Sequence, residues 1–144
     1  MSRANKFISA RLAELVDALP LRSGVRVLEI GCGPGVAARE ISRRIGNGYV
    51  LAIDRSATAI KQAIAGSKAE IESGRLGFLQ CAAEGFELGK SEPRFDLAIA
   101  FRVGAFDGRH PEIEEMAIAR VKAALKPKGR MFIDGGRPLQ EIRL

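Results

Sequence analysis

The residues best suited to chemistry lie early in the chain. Glu29 stands two positions before Gly31, and Gly31, Gly33 and Gly35 alternate with Cys32 and Pro34. Glycines in a strand-to-helix turn permit positive φ and let a ligand approach the backbone closely. The free N–H groups and dipole of the following helix favour a negative group such as a carboxylate. Asp54 lies nineteen positions beyond Gly35, where an acid can accept two hydrogen bonds from a ribose diol. A dinucleotide fingerprint would place its third glycine at Val36, and Glu29 would repel a pyrophosphate. The same carboxylate suits a ligand carrying an ammonium and a sulfonium. A glycine-rich turn beside an acidic strand end, with no ligand, is the plain structural alternative.

These residues need a scaffold that gathers strand ends. Ile8, Leu12, Leu15, Val16 and Leu19 recur at helical spacing within residues 1–20, and Pro20 stops that helix. Residues 25–30 read as a strand, and 35–45 as a helix with Val36, Ala37, Ile41 and Ile45 inward and Gly46 ending it. Strand 49–54 follows, and Ser56 caps a helix that turns Ile60, Ala63, Ile64 and Ile71 inward. Residues 76–81 and 95–101 are two further apolar strands. Pro111 starts a helix containing Ile113, Met116, Ala117, Val121 and Leu125. Residues 126–129 then turn the chain into a last strand, 130–134, and 135–144 remain as a short helix or tail. Strands alternating with helices imply an α/β, doubly wound, mostly parallel sheet with helices on both faces. Ligands of such sheets bind at the carboxyl ends of the strands, which selects residues 29–35, 54–56, 81–84 and 101–110.

Composition bounds the answer. With 144 residues, 47% apolar and 28% charged, the chain builds one core, so residues 1–144 read as a single domain. No stretch without a charge exceeds nine residues, far below the ~18 that a membrane span needs. Arg11 and Glu14 interrupt any apolar stretch resembling a signal peptide. Cys32 and Cys81 can form neither a disulfide framework nor a zinc site by themselves and read as small buried fillers. A cytoplasmic protein is the expectation, with no metal. The net charge of +6 divides as +3 over residues 1–28, −2 over 29–119 and +5 over 120–144. A nucleic-acid partner is possible but not favoured, because no run of five basic residues occurs and there is no Trp.

Residues 27–35, with Asp54 after the second strand, resemble the nucleotide-binding half of the class I S-adenosylmethionine-dependent methyltransferases. Residues 95–100, Phe-Asp-Leu-Ala-Ile-Ala, resemble that family's fourth-strand motif. Residues 124–131, Ala-Leu-Lys-Pro-Lys-Gly-Arg-Met, resemble its turn into the fifth strand, with Lys128 in place of one glycine. The resemblance spans about residues 20 to 135. It implies S-adenosylmethionine as cofactor and S-adenosylhomocysteine as product. Gly31, Cys32, Gly33 and Gly35 would then lie along the methionine portion, and Glu29 would hold its amino group. Asp54 would bind the ribose, and Arg55 would lie against the adenine. An acid that often accepts from the adenine amino group is replaced by Ala82, leaving the Ala83 backbone and Glu84 for that task. Phe101 would complete the cofactor-binding set.

The acceptor is less legible. Residues 101–110 lack the Asn-Pro-Pro-Tyr type motif that marks methylation of planar nitrogens in the family. His110, the only histidine, is either a general base for a hydroxyl acceptor or a surface residue at a helix start. Arg102, Phe106, Asp107 and Arg109 are candidates to orient the acceptor, and a solvated loop is the alternative for the charged ones. The reading is a methyltransferase of five strands in the order 3-2-1-4-5. Its rivals are a non-catalytic cofactor-binding module that needs a partner and a nicotinamide-dependent oxidoreductase. With only residues 135–144 after the fifth strand, that strand is expected to be an edge, covered by a second copy or a partner protein, or else by the tail and first helix of a monomer.

Overall fold

The computed structural model describes residues 8–103, 106 and 108–144. Residues 1–7 of the expected first helix and the acceptor candidate Asp107 lie outside the described residues. Six strands form one sheet in the order β3-β2-β1-β4-β5-β6. They are β1 (Arg26–Ile30), β2 (Tyr49–Asp54), β3 (Leu76–Gln80), β4 (Phe95–Ala100), β5 (Leu125–Asp134) and β6 (Leu139–Ile142). The first five are parallel and β6 is antiparallel to β5. The five-strand expectation therefore holds for order and falls short by one strand. The helices are α1 (Ala10–Ala18), α2 (Val36–Ser42), α3 (Ala57–Ala65), α4 (Lys68–Glu72) and α5 (Pro111–Ala124).

The sheet is covered on both faces, which explains why its central strands are nearly continuous apolar runs. Leu15 and Val16 of α1, Ala37 and Ile41 of α2 and Ile60 of α3 pack with Val27, Val50, Ala52, Leu97 and Ile99 on one face. On the other, Ala117, Val121 and Ala124 of α5 pack with Leu28, Ile30, Ala98 and Met131. Two serines fix helix starts. Ser9 Oγ accepts from Leu12 N at 3.1 Å and Ser56 Oγ from Ala59 N at 3.1 Å, each satisfying one unpaired backbone donor. Pro111 opens α5, with Glu112 and Glu114 in its first turn, where acids complement the helix dipole.

Several expectations need correction. Residues 57–72 are two helices, because Gly66 and Ser67 break the run. Ile64 is exposed and Ile71 only half-buried, so Ile60 and Ala63 carry the inward face. Met116 is likewise exposed. Helix α2 ends at Ser42, and Ile45 is buried from the turn that follows. The turn at residues 126–129 lies within β5: Phe95 pairs with Leu125 but Leu97 with Arg130, so four residues bulge out of the ladder. Finally, β5 is not an edge. Residues 139–142 return along it, pairing Asp134 with Leu139 through Met131 with Ile142. With β6 paired along it, β5 presents no open edge for a partner to cover.

Candidate functional site

The site forms where the sheet changes direction. Chain order runs from β1 outward to β2 and β3, then returns to place β4 on the other side of β1. The carboxyl ends of β1 and β4 therefore flank a crevice, the usual ligand position in such sheets. The turn after β1 supplies three alternating glycines in the left-handed region: Gly31 at φ +70°, Gly33 at +55° and Gly35 at +87°. The loop is held down by Gly31 N and Cys32 N, which donate to Ile53 O at 2.8 and 3.0 Å.

Each glycine faces something different. A Cβ on Gly33 would meet no atom within 4 Å, so its α-carbon borders open space. One on Gly31 would stand 2.5 Å from Val103 Cγ2, so only glycine lets the segment after β4 lie this close. One on Gly35 would press on Arg39 Nη1, Phe78 Cζ and Ala63 Cβ at 3.0 to 3.2 Å. Gly35 thus serves packing of the loop onto α3 and β3.

Asp54 and Glu29 bracket the loop. Asp54 Oδ2 accepts from Gly33 N and Oδ1 from Ser56 N, both at 2.9 Å. Both oxygens keep unused acceptor capacity. Glu29 is only 3% exposed, and its Oε1 has no hydrogen-bond partner. Burial, with the nearby Asp54 charge adding to it, pushes the Glu29 carboxyl up to about 8. A buried acid without a partner is costly unless something cationic pairs with it. Cys32 is buried, and burial with the Glu29 and Asp54 charges pushes its thiol up to about 12. It is not a nucleophile at neutral pH.

Two cavities border this loop, and a third lies beside them past Arg102. The largest of the three, about 480 Å³, is lined by Gly31, Asp54, Arg55, Ala82, Glu84 and His110, among others. The second, about 240 Å³, runs from Glu29, Gly31 and Cys32 to Ser9 and Leu12 of α1 and to Phe101. The third, about 310 Å³, is bounded by Arg102, Val103, Phe106, Arg109 and Asp134. Arg102 borders all three and holds φ +59°, a conformation unusual for a residue with a side chain. Its N–H donates to Asp134 Oδ1 at 3.1 Å, which anchors that turn.

The structure brings most of the sequence-selected residues together. Arg55 and Glu84 form an ion pair at 3.6 Å across the wall of the largest cavity. Ala83 opens a one-turn 3-10 helix, Ala83–Gly85, beside them. His110 lines that cavity rather than the third one, apart from Phe106 and Arg109. Cys81, expected as a buried filler, is half-buried on the same wall. Asp134, the α1 cap Ser9 and the α1 residue Leu12 were not singled out as site residues from sequence. Asp134 ends β5, so the strand-end rule reaches it when extended by one strand. No local signal marks the α1 residues. Among the described residues, no cluster of three or more His, Cys, Asp or Glu could hold a metal. Nor, among them, is any helix long and apolar enough to cross a membrane.

Residues 27–129 match the family model described as methyltransferase domain. The chain belongs to this family. Among solved structures it is 27% identical to a SAM-dependent methyltransferase from Thiobacillus denitrificans in complex with S-adenosyl-L-homocysteine, with TM-score 0.68 over 90% of this chain and 49% of that one. A SAM-dependent methyltransferase from Geobacter sulfurreducens, also in complex with S-adenosyl-L-homocysteine, is 27% identical, with TM-score 0.66 over 88% of this chain and 48% of that one. The cyclase SpnF is 28% identical, with TM-score 0.66 over 85% of this chain and 43% of that one. The chain thus spans about half the length of these proteins. No curated protein matches it.

Proposed function

We propose that this domain binds S-adenosylmethionine and transfers its methyl group to an acceptor held in the third cavity. The observation that carries the reading is the pair of acids about the glycine turn. A buried, unpartnered Glu29 borders the second cavity, and Asp54 ends β2 in the first, with open space at Gly33 between them. An ammonium would satisfy Glu29, a ribose diol would use the spare acceptor capacity of Asp54, and the first cavity is of a size to take an adenine. The Arg55–Glu84 pair and the backbone near Ala82 and Ala83 would bound the adenine in place of an acid at position 82. Two bound structures among the relatives, both with S-adenosyl-L-homocysteine, add to this reading.

The cofactor supplies an electrophilic methyl group on a positively charged sulfur. The chain's own task is then alignment and exclusion of water, the chief source of acceleration for such a displacement. Glu29 would hold the amino end of the ligand and Asp54 its ribose, with the loop along the segment between them. Arg102, Phe106, Arg109 and Asp134 offer the acceptor an apolar wall and charged groups of both signs. His110 would take a proton only from an acceptor lying in the first cavity, which it lines.

The test uses methyl-labelled cofactor with a cell extract. Label in a product, lost on Asp54→Ala, is the expected result. Cofactor binding with no transfer to any acceptor would favour the binding-module reading. Binding of NAD in preference would favour the oxidoreductase.

A further inference from the structure

Outside the cavities, one half-buried cation contacts the glycine turn from behind. Arg39 lies in the last turn of the short helix α2, and its Nη1 donates to Pro34 O at 2.9 Å and to Ser67 Oγ at 2.9 Å. Ser67 is fully buried at the start of α4, so the guanidinium links the loop to a separate helix. The surrounding sequence makes room for it. A Cβ on Gly35 would stand 3.0 Å from Nη1, and one on Gly66 would stand 3.1 Å from the same atom. Gly66 has an ordinary right-handed helical backbone, so its conformation does not require glycine. Arg39 instead occupies the space that a side chain there would take.

We propose that Arg39 is a positioning residue for the cofactor loop: it ties the Pro34 carbonyl to Ser67 and fixes the glycine turn before any ligand arrives. This rests on the cofactor-binding reading above for its functional consequence. The physical reason is that Pro34 lies between the open Gly33 and the packed Gly35. A charge-assisted bond to that carbonyl restrains its peptide plane, and with it ψ of Pro34 and φ of Gly35. Binding to a fixed loop avoids the entropy of ordering it. The turn is otherwise permissive, since three of its five residues are glycine.

The decisive comparison is Arg39→Met against Arg39→Lys. Methionine keeps most of the apolar stem and removes the donors, whereas lysine keeps a cationic donor at nearly the same reach. Affinity for S-adenosylhomocysteine is read by calorimetry, and exchange of the Gly33 and Gly35 amides by NMR in the ligand-free protein. Arg39→Met is expected to weaken binding about tenfold, the scale of one hydrogen bond to a charged group. Its two loop amides should exchange about tenfold faster while those of β1 and β4 do not change. Arg39→Lys is expected to stay within about threefold of the wild type on both readouts. Ser67→Ala, which keeps the guanidinium but removes its anchor, should give a smaller loss of the same kind. Wild-type affinity in Arg39→Met with unchanged loop exchange would overturn the brace and leave the cofactor reading standing. Equal losses in both Arg39 variants, with faster exchange throughout the sheet, would show a general packing role and overturn it as well. If the wild type binds no S-adenosylhomocysteine, the cofactor reading fails, and the loop amides alone decide the brace.

Discussion

Glu29→Gln separates the charge of the site's most buried acid from its shape. In the ligand-free fold the Glu29 carboxyl keeps its proton up to about pH 8, against an ordinary value of 4.5. The unfolded chain releases that proton near 4.5. Between these values the folded state binds more protons, so stability falls as pH rises from about 4.5 to about 8 and is level above. At about 1.4 kcal/mol for each tenfold in proton affinity, the full gap is an upper bound of roughly 5 kcal/mol. Local relaxation and water entering from the adjoining cavity reduce this, and about 2–3 kcal/mol is the working figure. The glutamine has no charge to bury, so it removes this slope. For a chain of this size 1 kcal/mol moves Tm by about 2–4 °C. Glu29→Gln should therefore melt about 4–12 °C above the wild type at pH 8 and within about 2 °C of it at pH 5. Thermal unfolding followed by circular dichroism at pH 5, 6.5 and 8, without ligand, is the assay. The variant should nevertheless bind S-adenosylhomocysteine about tenfold more weakly, having lost the partner for the amino group. Parallel Tm–pH curves for the two proteins would refute the reasoning, because Glu29 would then be ionised in the fold as it is in water.

Other perturbations address other parts of the site. Asp54→Ala should weaken S-adenosylhomocysteine about tenfold or more, and should abolish any preference for the ribose ligand over its 2′-deoxy analogue. A preference that survives would move the ribose elsewhere. Gly33→Val puts a branched side chain into open space at φ +55°, so calorimetry should show binding lost while the circular dichroism spectrum is kept. Normal binding in that variant would place the ligand away from the loop. Arg102→Gly relieves a left-handed conformation at φ +59°, which should raise stability by about 0.5–1 kcal/mol in denaturant titrations. The same variant should lower methyl incorporation into a cell extract, since it strips a charged wall from the third cavity.

What was legible in the sequence was whatever local chemistry decides. The β1 and β4 runs are apolar because both faces of the sheet are covered, and Gly31, Gly33 and Gly35 mark a turn whose three positive φ values are now visible. The Ser56 cap and the Pro20 stop were readable for the same reason. Strand β6 was not, because Leu139, Gln140, Glu141 and Ile142 do not alternate and only the two end residues are apolar. Gly135 and Gly136 before it are a hairpin signal that a helix-or-tail reading passes over. Arg39 carried no signal in the sequence; its contacts with Ser67 and Gly66 lie 28 and 27 positions away, and no periodicity reports that. Asp134 belonged to the site by topology alone. The alternating glycines showed where a ligand approaches, but not that Gly35 faces packing while Gly33 faces space.

The most direct test of the central claim is a calorimetric titration of the purified chain with S-adenosylhomocysteine, with NAD as the parallel ligand. One binding site of about micromolar dissociation constant, near −8 kcal/mol, with no measurable heat from NAD, is the predicted result. Absence of binding by S-adenosylhomocysteine, or tighter binding of NAD, would contradict the account.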